Sequence, residues 1–225
     1  MGAITRAAAN NITTGGVILP AGINDASVAS ISDLEQVATG GGLNLISSQT
    51  ASASASIEFT SGIDSTYDIY QFEFINCHPQ TDAVSFQFNL STDGGSNYSV
   101  TKTTTFFDAG QNEAGTDTPF GYAAGRDLAQ STSDQVIIGN GANLGADNDQ
   151  SSSGTIYLFN PLSSTYVKHF IGVAHSIEYR DWSWRSTFAG YANTTSAVNA
   201  IIFRMSSGNI DAGTIRMYGI QSSWA

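Results

Sequence analysis

From about residue 43 onward the chain alternates apolar and polar residues in short runs, and this period of two constrains the fold more than any other feature. Ala55, Ile57 and Phe59 alternate with Ser54, Ser56 and Glu58. Tyr70, Phe72 and Phe74 alternate with Gln71 and Glu73, and Val84, Phe86, Phe88 and Leu90 with Ser85, Gln87 and Asn89. Successive side chains of a strand point to opposite faces, so each run describes a strand with one buried face. Similar runs predict strands at 98–107, 135–138, 154–160, 166–175, 182–191, 198–205 and 213–220, about ten in all. No helical segment lies between them to make parallel crossovers. Asp93-Gly94-Gly95-Ser96 and Ser206-Ser207-Gly208-Asn209 tolerate positive φ and predict antiparallel hairpins. The fold expected is all-β, an antiparallel β-sandwich of the jelly-roll kind. The polar, glycine-containing stretches 108–134 and 139–153 are expected as long rim loops, where binding is often found.

Residues 1–42 follow no such period. Short apolar pieces containing Ile4, Ile12, Val17, Ile18, Leu19 and Ile23 are broken by Asn10-Asn11, Gly15-Gly16, Pro20 and Gly40-Gly41-Gly42. A weak helical spacing runs from Ile23 through Ile31 and Leu34 to Val37, against serines and β-branched residues that lower its propensity. The segment is too apolar for a solvated linker. It is expected to be an irregular assembly arm that orders against its own β-domain, sister subunits or a host assembly, the alternative being a frayed leader. The domain division expected is therefore an anchoring arm at 1–42 and a β-sandwich at 43–225.

Charge narrows the function. Charged residues make up 12% of the chain, against about 25% in an average globular protein. Nineteen acidic and eight basic side chains give a net charge of -11, and Lys102 and Lys168 are the only lysines. No phosphate-neutralising stripe can be assembled from these, which argues against nucleic-acid binding. No apolar run approaches the roughly 18 residues of a membrane helix, and Asn10, Asn11, Thr13 and Thr14 interrupt the apolar start too early for a secretory leader. The single Cys77 supports neither an intrachain disulfide framework nor a multi-cysteine zinc site.

Catalytic constellations are weak throughout. Cys77-His78 is the one thiol–imidazole neighbour pair, yet adjacent strand residues face opposite ways and Pro79 follows. His169 and His175 share a strand face but lie about 20 Å apart, too far to share a metal. Asp147-Asn148-Asp149 lacks the alternation and closing glutamate of a calcium loop. Asp64 and Asp68 flank Ser65-Thr66-Tyr67 at the start of a strand, where turn chemistry is the better reading. The densest local feature is Tyr179-Arg180-Asp181-Trp182-Ser183-Trp184-Arg185. If Trp182 and Trp184 face inward they are core or intersubunit packing. If outward, Tyr179, Arg180, Trp182 and Trp184 form a partner or glycan surface. No P-loop, GxSxG, HExxH or dinucleotide fingerprint is present, so the chain is read as non-enzymatic, with no catalytic residues, cofactor or metal.

Four blocks carry a resemblance: ITRAAANNITTGGV (4–17), FTSGIDSTYDIYQFEFINCHPQTD (59–82), LFNPLSSTYVKHF (158–170) and TTSAVNAIIFRMSSGNIDAGTIRMYGI (194–220). Together the chain resembles virion structural proteins of tailed bacteriophages, especially those of marine and cyanobacterial phages. The resemblance implies a virion part assembled in the host cytoplasm, whose partners are other capsid or tail proteins and which is a homo-oligomer, by class a trimer. Three roles follow as expectations: a tail-fibre-like or receptor-binding module held by its arm, a capsid decoration or cement protein, and a carbohydrate-binding module contacting a host-surface glycan.

Overall fold

Alternation at period two becomes two antiparallel sheets in the computed structural model, which describes residues 42–138 and 143–220 and the backbone of 12–13 and 16–17. The chain divides into Met1–Gly40 and Gly41–Ala225. In the first unit, β1 (Ile12–Thr13) pairs antiparallel with β2 (Gly16–Val17), with Ile12 opposite Val17. Ile4, Ile18, Leu19, Ile23, the side chains of Ile12 and Val17 and the helical spacing at 23–37 lie outside the described residues.

The second unit holds β3 (Leu43–Thr50), β4 (Ile57–Phe59), β5 (Ile69–Pro79), β6 (Phe86–Ser91), β7 (Lys102–Asn112) and β8 (Phe120–Tyr122). These are followed by β9 (Gln135–Val136), β10 (Ser152–Phe159), β11 (Lys168–Glu178), β12 (Trp182–Ala192), β13 (Ala200–Met205) and β14 (Ile210–Ile220). The large sheet has the order β3-β14-β5-β10-β11-β12-β7-β8 and the small sheet β4-β13-β6-β9. With β7, β8, β11 and β12 set aside, the remaining strands in chain order pair first–eighth–third–sixth in one sheet and second–seventh–fourth–fifth in the other. This is the strand order of a jelly roll. The four strands set aside all extend the large sheet beyond β10, so they are additions to a complete frame.

Both turns expected as hairpins do something else. Asp93–Ser96 carries the chain from β6 in the small sheet toward β7 in the large one, and Ser206–Asn209 carries it from β13 to β14 in the same way. Gly94, Gly95 and Gly208 do adopt φ of 71°, 90° and 70°. Positive φ makes the chain reverse tightly but does not choose the partner strand, which long-range pairing decides. The 108–134 stretch was likewise expected as loop, whereas β7 continues to Asn112 and β8 pairs with it, Phe107 opposite Tyr122 and Ala109 opposite Phe120. The strand β3 was not among those expected.

Aromatic side chains fill the space between the sheets. Phe203 of β13 lies 5.9 to 6.4 Å, ring centre to ring centre, from Phe59, Phe72, Phe86 and Phe88. Phe88 also meets Phe170 and Phe188, and Phe188 stacks on Phe106. The added strands therefore share one continuous core with the frame.

Candidate binding face

The tryptophan cluster sits on the hairpin between β11 and β12. Trp182 and Trp184 stack at 5.7 Å and 16° between planes. They share the strand face of Phe188, which is fully buried, so the pair points inward. Trp184 is buried and its ring lies over Gly110, where a Cβ would come within 2.8 Å of it. Trp182 is half-buried. Tyr179 and Arg180 stay at the surface: the Arg180 guanidinium lies 5.1 Å from the Tyr179 ring centre, and its Nε donates to the buried Glu178 Oε1 at 2.6 Å. The four residues thus divide between core and surface, and only Tyr179, Arg180 and part of Trp182 are accessible to a ligand.

The other candidates resolve into structural roles. Cys77 is fully buried, and burial pushes its thiol up to about 12, so it is protonated and unreactive at neutral pH. His78 faces the other way, its Nε2 3.1 Å from the Asp147 carbonyl oxygen and its Nδ1 3.8 Å from Asp211. Asp64 accepts from the Thr66 backbone N–H at 2.8 Å, and its hydrogen bonds with Thr66 lower its pKa. Asp147 closes a turn by accepting from the Gln150 N–H at 2.9 Å. Among the described residues no three His, Cys, Asp or Glu side chains are grouped to hold a metal.

Both lysines lie inside the protein. Lys102 of β7 and Lys168 of β11 stand opposite Ala192 of β12 from either side, on the inner face of the large sheet. The Lys102 Nζ donates to Asn89 Oδ1 at 2.6 Å and to the Val100 carbonyl at 2.8 Å. The Lys168 Nζ is held by the carbonyls of Tyr166 and Thr194 at 3.0 and 3.1 Å, together with that of Ser163. Burial lowers the Lys102 pKa to about 8, opposed by the charge of Asp134. The described surface is thus without a lysine, and of its exposed arginines Arg180, Arg204 and Arg216 each hold a carboxylate.

The outer face of the added strands has a different character. On β11 the inward residues after Phe170 are Gly172, Ala174, Ser176 and Glu178, whereas the outward ones include Ile171, Val173 and Ile177. The usual inside-out polarity is inverted there. Register places Val173, Thr187, Phe107 and Tyr122 in one row across β11, β12, β7 and β8, and His175, Arg185, Ala109 and Phe120 in the next. Phe120, Tyr122, Phe107 and Ile171 are 79, 56, 44 and 46% exposed. No protein-family profile, curated protein or solved structure matches the chain. Function must therefore be argued from this face and its surroundings. Sequence reading overlooked it because Phe107, Phe120 and Tyr122 fall in or beside the stretch taken for a loop. The inverted polarity of 168–178 was the available signal.

Proposed function

We propose that the chain is a non-enzymatic structural protein of a tailed-phage virion, attached through residues 1–42 and presenting the jelly-roll unit outward as a tail-fibre-like or receptor-binding module. The observation that carries the reading is the exposed apolar face built by β11, β12, β7 and β8. Phe107, Phe120 and Tyr122 stand on the outer side of the four strands added to the jelly-roll frame, away from the core those strands share with it, and make an interaction surface. A surface rich in hydroxyls and amides, without lysine among the described residues, suits a part that sits beside copies of itself.

Deletion of residues 1–42, with the β-unit intact, is the test: particles assembled with the shortened chain should lack it. Incorporation at the level of the full chain would overturn the anchoring role. Copy number then separates head from tail, since hundreds of copies per particle would place the protein on the capsid as a decoration or cement protein. The outer edge of β3, unpaired among the described residues, favours that second reading, because its segment LNLISSQT carries no charge, exposes Leu43 and Leu45, and can pair with a neighbouring subunit.

A further inference from the structure

We infer that the outer face of β11, β12, β7 and β8 is a binding track for an extended oligosaccharide. The inference deepens the receptor-binding part of the proposed function and rests on it for biological setting only, because sugar binding is read on the isolated chain.

Three depressions lie in single file along this face, at successive four-residue steps of β7. The first is lined by Thr103, Thr105, His169, Ile171, Ala189 and Tyr191, the second by Phe107, Ala109, Phe120, Arg185 and Thr187, and the third by Gln111, Glu113, His175, Asp181 and Ser183. Their volumes are about 430, 330 and 400 Å³, each within the range of small-ligand sites. From Thr103 to Glu113 the strand rise gives a track about 33 Å long. A row of shallow, similar depressions suits a linear chain of repeating rings better than a single compact ligand.

The lining chemistry names the class. Sugars present apolar C–H faces and hydroxyls that both donate and accept. Here flat or aliphatic surfaces (Tyr191, Phe107, Phe120, Ile171) alternate with hydroxyls and amides (Thr103, Thr105, Thr187, Gln111, Ser183). Aromatic rings supply large rigid contact area at low entropic cost. In the third depression His175 Nε2 and Ser183 Oγ lie 2.9 Å apart, with Asp181 and Glu113 beside them as acceptors for sugar hydroxyls. The side chain of Arg185, exposed in the middle of the track, has neither ion pair nor hydrogen bond among the described residues, and its planar donor fork is free to hold paired hydroxyls. A polyanion is disfavoured by a net charge of -11 and the absence of exposed lysine.

The experiment titrates the full chain by calorimetry with linear hexasaccharides of glucan, mannan and chitin type and with hexagalacturonate, and with the disaccharide of each. At least one hexasaccharide should bind, at least about tenfold more tightly than its disaccharide. Phe120→Ala and Phe107→Ala, both exposed residues that line the second depression, should each weaken it by about tenfold, and Arg185→Gln likewise. Leu45→Ala, exposed on the same sheet but at its far edge, should leave binding unchanged. No binding by any hexasaccharide at millimolar concentration would overturn the inference, as would equal affinity for disaccharide and hexasaccharide or indifference to the aromatic substitutions. Concentration-dependent self-association abolished by Phe120→Ala, without sugar binding, would assign the face to a second copy instead. None of these failures would alter incorporation of the chain into particles, so the two proposals fail separately.

Discussion

Phe203 touches four phenylalanines drawn from both sheets, and truncating it leaves a void that rings anchored on separate strands cannot close. Phe203→Ala should lower unfolding free energy by about 3–5 kcal/mol, measured by denaturant titration at unchanged slope. Lys102 makes a different prediction. Its folded pKa of about 8 lies below the ordinary lysine value, so above pH 8 the folded state releases a proton that the unfolded state still holds. Stability therefore rises with pH from about 8. Cys77 acts in the opposite sense, because its thiol stays protonated to about 12 in the fold while the unfolded thiol ionises from about pH 9. The gain should be confined to the interval between those onsets. Denaturant titrations at half-unit steps should show it, and Lys102→Met should reduce the rise, leaving what the buried Lys168, its pKa also lowered by burial, adds in the same sense. Period-two spacing already put Lys102 on the face of Phe106, but nothing local announced that Asn89 and the Val100 carbonyl would receive it.

At the scale of elements, the strands that alternate cleanly were legible and their partners were not. The runs around Phe72, Phe88 and Phe203 became β5, β6 and β13, because each buries one side in a shared core. The jelly-roll class was also readable, from many short strands without helices. Hydrogen bonding between β14 and β5, or between β12 and β7, joins residues far apart in sequence, and turn composition carries no record of it. The binding face was illegible for a related reason: β8 is only Phe120–Tyr122, too short to show a period, and it exists by pairing with β7. Among the added strands, Gly172 shows how closely sequence and packing are matched. A Cβ there would stand 2.2 Å from the Phe188 ring, which covers the glycine from the neighbouring strand. Gly172→Ala should cost about 1–3 kcal/mol by overpacking. Gly121→Ala, where a Cβ meets nothing within 4 Å, should change thermal unfolding little, and the pair of melting curves checks both.

For the β-unit as a whole, the question is whether the added strands open separately from the frame to which they are attached. The chain carries its own reporters: Lys102 and Lys168 lie on the added strands β7 and β11, whereas Cys77 lies on β5 of the frame, and all three are fully buried. Amine acylation at the two lysines and thiol exchange at Cys77 should therefore be suppressed in the native protein. Because Phe106, Phe170 and Phe188 of the additions join Phe88 of the frame through ring contacts, exposing either lysine requires breaking the core that also shields Cys77. The protection of each group, taken as its native rate relative to its rate in guanidinium, should therefore be the same for all three, as expected of one cooperative unit. Mass spectrometry of timed labelling measures it. Lysines that react well before Cys77 would mean that β7 and β11 detach while the jelly-roll frame stays folded, and the track they carry would then be held by a weaker element than the core contacts imply.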